Sequence, residues 1–321
     1  MIMKNFSYKD ISELAKVSIS TVSRYYNGGY VSKNTKNKIE SIVKEHNYYP
    51  NHGARLIRGH DNSIFVILPQ WHENAYTHII SGIHEGAKKH NKKVIITYSE
   101  PDAESYIETV KYVFSWKPSS IVFFLPKEHA DEIENFVNKN AGDIQTIFYG
   151  KRNKNVNWIY VDYEASFYLL TKKFSEYIEP GQKIVFALDT KLSNEDRDAR
   201  RNGFERACKE LNIPHETILL MNKDNNRVNQ FLNYLNNENL VNVVCSTHEI
   251  FINMISSPDK NLRLTDIGYL SMYDYQYRYK AKIFIDYPNI GIQTERMLFN
   301  SEIDNIVSNK IIKPQILSKK N

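Results

Sequence analysis

The chain has 321 residues, 41% hydrophobic, 25% charged and 12% aromatic, which is enough for two or three domains and too apolar for intrinsic disorder or a fibrous repeat. Cys208 and Cys245 are the only cysteines and form no C-x-x-C, which argues against a disulfide framework or a structural zinc site; no run approaches the ~18 apolar residues of a membrane span, and MIMKNFSYKD lacks a secretory signal's apolar core, so a cytoplasmic protein without a membrane partner is expected. The formal charge of +5 is unevenly placed: residues 1–60 hold ten Lys/Arg against four acids and the rest is nearly neutral, as in a basic module for nucleic acid or simply a solvated surface.

Three short helices are predicted before residue 47. Ser7-Tyr8-Lys9-Asp10 reads as a capping box, followed by Ile11, Leu14 and Ala15 as one inward face. Ser18 caps a second helix, Ile19 to about Asn27, with Val22 and Tyr25 or Tyr26 inward, and Gly28-Gly29 stops it. Ser32 opens the third, where Ile39, Ile42 and Val43 face inward and Lys33, Lys36, Lys38 and Lys44 surround them. The short gap at Lys16 to Ser18 suits a helix-turn-helix corner. Ser20, Thr21, Ser23, Arg24 and Asn27 then point outward, small hydrogen-bonding groups and one Arg that fit a major groove. A three-helix bundle with a polar surface fits the same pattern.

Pro50 to Gly59, P-N-H-G-A-R-L-I-R-G, has a Pro start and a Gly stop and can form about two turns of helix, too short to be stable alone; a flexible linker is the other reading. From Asn62 on, short apolar runs alternate with amphipathic ones. Strands are predicted at Ile64–Leu68, Val94–Tyr98, Ile121–Leu125, Thr146–Tyr149, Trp158–Val161, Ile184–Leu188, Ile218–Met221, Val241–Cys245, Ile267–Leu270 and Ile283–Asp286. Helices are predicted between most of them, for example at Thr77–His90, Tyr106–Trp116, Ala165–Tyr177, Arg201–Leu211 and Val228–Leu235. This alternation predicts an α/β body, with two parallel sheets more natural than one.

No G-x-G-x-x-G, Walker A, G-x-S-x-G or H-E-x-x-H occurs, so no enzyme chemistry and no cofactor is expected. His72, His78, His84 and His90 recur every six residues. On a helix that spacing turns successive side chains about 120° out of line, which speaks against a metal site.

The run from Tyr8-Lys9-Asp10-Ile11 through Leu14-Ala15-Lys16-Val17-Ser18 and Thr21-Val22-Ser23-Arg24, with Asn27-Gly28, Val31-Ser32, Thr35 and Tyr48-Tyr49-Pro50-Asn51, resembles the LacI/GalR family of bacterial repressors. Lys16 departs from the Gly usual in that turn; a positive φ there costs Lys about 1 kcal/mol. The resemblance implies a helix-turn-helix domain at 1–49, a hinge helix or linker at 50–60 and a periplasmic-binding-protein-like core at 61–321. Its first lobe is expected at about 61–158 and 289–310, its second at about 159–286 and 311–321. Ile19, Ser20 and Arg24 would face base edges, while Ser18, Thr21, Ser23 and Asn27 would contact phosphates or fix register. In the hinge, Asn51 would cap, Ala54 would allow close approach to the copy in a dimer, and Ile57 would wedge into the minor groove.

Ligands in open α/β sheets bind beyond the carboxyl ends of the strands. There the resemblance implies effector roles for Arg200, three before Gly203, for Asn74 with Trp71 and Tyr76 as stacking partners, for His248, and for Tyr287 before Pro288. His248-Glu249 stand where Asn-Asp is usual, Leu270-Ser271 replace an acidic pair, and Gly150-Lys151, followed by Arg152, replace Asp-Arg. The shift toward cations adds a sugar phosphate or another anion to a neutral sugar as the expected effector. The expectation is a dimeric repressor of carbohydrate-utilisation genes on a pseudo-palindromic double-stranded DNA operator, controlled by that effector. The alternatives are a solute-binding receptor with the same core and an α/β enzyme, which the missing motifs disfavour.

Overall fold

The computed structural model describes residues 7–26, 29–46, 61–70, 74–126, 128–152, 156–258, 261–304 and 307–319. The chain divides into two units, Met1–Asp61 and Asn62–Asn321. The first unit holds α1 (Tyr8–Ala15), α2 (Ile19–Tyr26) and α3 (Lys33–Glu45). Each helix starts at a serine hydroxyl that takes an amide the helix itself leaves unpaired. Ser7 and Asp10 close the capping box, with Ser7 N donating to Asp10 Oδ2 at 2.8 Å. Thr21 N donates to Ser18 Oγ at 3.1 Å, and Thr35 N to Ser32 Oγ at 3.3 Å. Lys16 makes the corner between α1 and α2 in the left-handed region, at φ 54°, and the Val17 amide thereby reaches the Ser12 carbonyl at 3.0 Å.

Ile11, Ala15, Val22 and Ile39 form the buried centre of this unit, with Tyr8 stacked on Tyr26 at 5.1 Å. Leu14, expected inward, is 53% exposed. The stripe that meets the other helices runs through Tyr8, Ile11, Ser12 and Ala15, and Leu14 lies about 110° round the helix from its middle.

Chain order continues with β1 (Asp61–Pro69), α4 (Asn74–Lys89), β2 (Lys93–Ser99), α5 (Ala103–Ser115), β3 (Pro118–Phe124), α6 (Ala130–Asn140), β4 (Gln145–Tyr149) and β5 (Asn157–Val161). Next come α7 (Tyr163–Ser175), β6 (Ile184–Asp189), α8 (Asn194–Glu210), β7 (His215–Leu220), α9 (Asn225–Asn237), β8 (Asn242–Cys245), α10 (His248–Ile255), β9 (Arg263–Gly268) and β10 (Tyr279–Phe284). The last elements are α11 (Tyr287–Asp304), β11 (Asn309–Ile312) and β12 (Gln315–Ser318). Two six-stranded sheets result, ordered β11-β5-β4-β3-β1-β2 and β12-β10-β9-β8-β6-β7.

β11 and β12 were not foreseen, and β12 runs antiparallel to β10, so the second sheet is not wholly parallel. β5 lies entirely in the first sheet, so the passage between lobes, expected near 158–162, falls after Val161. β11 pairs with β5 as far as Ile312↔Val161, which likewise carries the first lobe past 310.

β1 shows why core strands read as unbroken apolar runs: both of its faces are covered. Ile64, Val66 and Leu68 join a cluster that continues through Phe167, Ile184 and Phe186 of the second lobe, while Phe65 and Ile67 pack with Tyr106, Val110 and Ile121. Each lobe also has a helix pair in backbone contact. A Cβ on Gly82 of α4 would lie 1.9 Å from the Pro288 carbonyl oxygen of α11, and one on Gly203 of α8 would lie 2.1 Å from the Glu164 oxygen of α7. Among the described residues no helix is long and apolar enough to cross a membrane, and no acid, His or Cys group is arranged to hold a metal.

Candidate functional site

On α2, Val22 is buried while Ile19 is 45% exposed and Ser20 and Arg24 are exposed beside it. Ser18 is also exposed, and its hydroxyl lies 2.7 Å from that of Ser20 and 2.8 Å from that of Thr21. Thr21 and Ser23 are half-buried at the edge of the same face. Lys33, Lys36, Lys38 and Lys44 of α3 are all exposed, which leaves the unit's positive charge accessible to a polyanion. Asn27, Asn51, Ala54, Ile57 and Trp71 lie outside the described residues.

In the second unit the carboxyl ends of the two sheets carry different chemistry. On the first sheet Tyr76, from the first turn of α4, packs on Phe124 at 4.4 Å and on Tyr149 at 5.9 Å between ring centroids, an aromatic platform over the ends of β3 and β4. Asn74 begins that helix. His78, one turn on, lies 5.3 Å from Tyr269, which follows β9 of the other sheet, so the two lobes meet here. Lys151 and Arg152, read as added cations, each have a partner: Lys151 pairs with Asp131 at 2.5 Å, and the exposed Arg152 lies over the Tyr160 ring at 4.4 Å.

On the second sheet Arg200 is only 4% exposed. Its guanidinium lies 4.1 Å from the Tyr163 ring centroid and donates through Nη1 to the Ser246 carbonyl at the end of β8. Two residues on, His248 opens α10 and its Nδ1 meets Asp266 Oδ1 at 2.8 Å. Burial opposes the imidazolium, but the hydrogen bond to Asp266 and that carboxylate's charge outweigh it, and the pKa of His248 is raised. Beneath lies a fully buried ammonium, Lys282, 3.0 Å from Asp266 Oδ2, 2.5 Å from Asp274 Oδ1 and 2.8 Å from the Tyr269 carbonyl. Tyr287 is buried, its ring under Gly268, which takes φ 128°.

Sequence reasoning missed three of these groups. Asp189, last in β6 and buried, accepts from Asn222 Nδ2 at 2.6 Å, Thr247 Oγ1 at 3.0 Å and Lys191 N at 2.9 Å. Asn222 Oδ1 is buried without a hydrogen-bond partner. The Asp266–Lys282–Asp274 cluster completes the list; the available signal was an acid, Asp266, and a base, Lys282, each directly preceding the apolar run that ends its strand.

The model of the lacI family of bacterial regulatory proteins matches residues 7–51, and that of periplasmic binding proteins and the sugar binding domain of the LacI family matches residues 61–238. The chain is 30% identical to the sucrose operon repressor of Staphylococcus xylosus over 167 residues, 51% of this chain and 51% of that protein. It is 27% identical to the HTH-type transcriptional regulator RegA of Clostridium saccharobutylicum over 297 residues, 88% of this chain and 86% of the relative. Its fold is similar to that of a Lac repressor dimer bound to operator and the anti-inducer ONPF, with a TM-score of 0.78, 18% identity and 98% of both chains covered. With the two matched segments spanning the helical unit and more than half of the α/β unit, the chain belongs to the LacI family of bacterial regulatory proteins.

Proposed function

We propose that this chain is a cytoplasmic transcriptional repressor of carbohydrate-utilisation genes, binding a pseudo-palindromic operator as a homodimer and controlled by a sugar or sugar phosphate held between the lobes of its core. The observation that carries the reading is the outward face of α2, where Ser20 and Arg24 are exposed opposite the buried Val22 and Ile19 is exposed at the helix start. Arg24 is suited to a bidentate bond with guanine and Ile19 to a thymine methyl. Ser18, Thr21, Ser23 and Asn27 take the phosphates. Asn51, Ala54 and Ile57 form the hinge that enters the minor groove, and Trp71, Asn74, Tyr76, Arg200, His248 and Tyr287 surround the effector.

A homodimer is supported by the outer strands. β2 and β7 each end a sheet, and Ile95, Ile96, Tyr98, Leu219 and Met221 on and beside them are exposed. Edge strands of that kind invite pairing or cover. The helical unit favours a regulator over a solute receptor, and both named relatives are regulators of transcription rather than enzymes.

Selection of bound duplexes from a random double-stranded pool, followed by titration of the enriched site at two salt concentrations, tests the proposal. A pseudo-palindrome whose affinity falls steeply with salt is expected, as counterions leave the phosphates. No enrichment from intact dimers, with and without sugars and sugar phosphates, would overturn it.

A further inference from the structure

The second lobe has a depression of about 660 Å³ at the end of its sheet opposite Arg200 and His248. It is bounded by α9, by residues 239–241, which lead into β8, and by Ser257, Pro258 and Asn261 between α10 and β9. β8 starts at Asn242 and β9 at Arg263, so the depression opens at the amino ends of these strands. Arg200 and His248 stand at the carboxyl end of β8, where the effector is placed.

α9 turns one face into the lobe through Val228, Phe231 and Leu235, all buried. On its outer side Asn229, Asn233 and Asn236 are exposed and, at i, i+4 and i+7, fall within about 60° of one another. Asn239, in the left-handed region at φ 52°, brings a fourth amide to the same depression. Among the described residues none of these four side chains is committed to a hydrogen bond. A merely solvated helix face is better made of Lys, Glu or Gln, because asparagine competes with the helix for its own backbone groups. Between the amides the floor is aliphatic, with Leu232, Leu240 and Val241 half-buried.

Among the described residues no acid or base lines the depression, although a quarter of the chain is charged, and Asp259 and Lys260, which separate Pro258 from Asn261 in sequence, are opposite in sign. A phosphate or carboxylate therefore has no cation to meet it there. The described lining also lacks Trp, Tyr and Arg, the usual anchors of a protein interface, and any ring on which a nucleobase could stack. The volume is that of a small-molecule site. Each asparagine offers two donors and an acceptor, and each sugar hydroxyl both donates and accepts, so a row of amides satisfies a row of hydroxyls without any charge. The aliphatic floor meets the C–H bonds of the rings. From Asn229 to Asn236 is about 10 Å along the helix, room for two linked rings.

We propose that this depression is a second ligand site, which binds a neutral saccharide of two or more rings through the amides of Asn229, Asn233, Asn236 and Asn239. It is separate from the effector's place between the lobes and does not depend on the repressor reading.

The test uses the full-length protein with 13C-labelled leucine and valine methyls, the signals of Leu232, Leu240 and Val241 being identified by their loss in Leu232→Ile, Leu240→Ile and Val241→Ile. Maltose, cellobiose and sucrose are the probes; inorganic phosphate and a blocked tetra-alanine peptide are the controls. At least one disaccharide should shift all three signals to saturation, while phosphate and the peptide leave them in place. Asn233→Leu and Asn236→Leu, both on the exposed side of α9, should each raise the Kd about threefold to tenfold, the loss of one or two hydrogen bonds. Asn233→Gln, which keeps the amide, should recover part of that loss. Silence toward all three sugars, an equal response to phosphate or to the peptide, or Kd values unmoved by the asparagine variants would each overturn the proposal. Leu68 and Leu270 lie at the other ends of the strands, so a sugar that shifts their signals and leaves the groove silent refutes the second site and leaves the effector reading intact.

Discussion

The two lobes join their helices in the same way and finish their strands differently. Gly82 and Gly203 bring one helix pair in each lobe into backbone contact. At the strand ends, however, the first lobe offers the Tyr76–Phe124–Tyr149 platform, while the second offers Arg200 and His248 above the Asp266–Lys282–Asp274 cluster. A platform of rings holds a ligand face with little regard to its rotation, whereas fixed charges demand a particular group at a particular place. On the proposed reading recognition is divided, with general affinity on one side and orientation on the other.

The largest effect should come from breaking the charged side. Lys282→Met leaves the fully buried Asp266 with only the His248 ring beside it and takes the ammonium from the half-buried Asp274, and should lower core stability by about 3–5 kcal/mol, read from urea unfolding. Adding Asp266→Asn should recover part of that loss, a rescue that no second deletion in the aromatic platform would give. Next in size are the helix seams. Gly82→Ala and Gly203→Ala force a methyl against a carbonyl oxygen and should each cost about 1–3 kcal/mol. Closely matched losses would sharpen the likeness of the lobes, and unequal ones would break it. The smallest effect is on pH. Because the folded pKa of His248 is raised, its bond to Asp266 contributes stability that is fully present below the ordinary histidine value of 6.5 and is lost as pH rises through the folded value. Melting temperature should fall over that window in the wild type, and His248→Asn should lack this component.

What the sequence disclosed was local. The Ser7, Ser18 and Ser32 caps and the left-handed Lys16 each depend on residues within a turn of one another, and Arg200 is fixed by its spacing to Gly203 on one helix. What it concealed depends on partners distant in sequence. Asp266 and Lys282 are sixteen positions apart and become neighbours only because β9 and β10 pair with Lys282 opposite Asp266. In sequence each looks like a polar break, which is why β9 and β10 begin four residues earlier than their apolar runs. The partners of Lys151 and Arg152 were hidden in the same way, since neither Asp131 nor Tyr160 stands next to them in sequence.

The close approach at Gly82 also has a mechanical side. α4 has sixteen residues and so extends about 24 Å. Its first turn lies among the rings where the lobes meet. Just past its far end, Asn91 accepts from Asn62 Nδ2 at 3.1 Å, and Lys92 bonds Ser119, whose hydroxyl donates to the Ser63 carbonyl at 2.9 Å. With Gly82 and Gly291 pressed into each other's backbones, α4 and α11 can neither slide nor part cheaply, and they move as a single lever. A displacement at the rings would therefore be carried by the α4–α11 pair toward Asn62 and Ser63 at the start of β1.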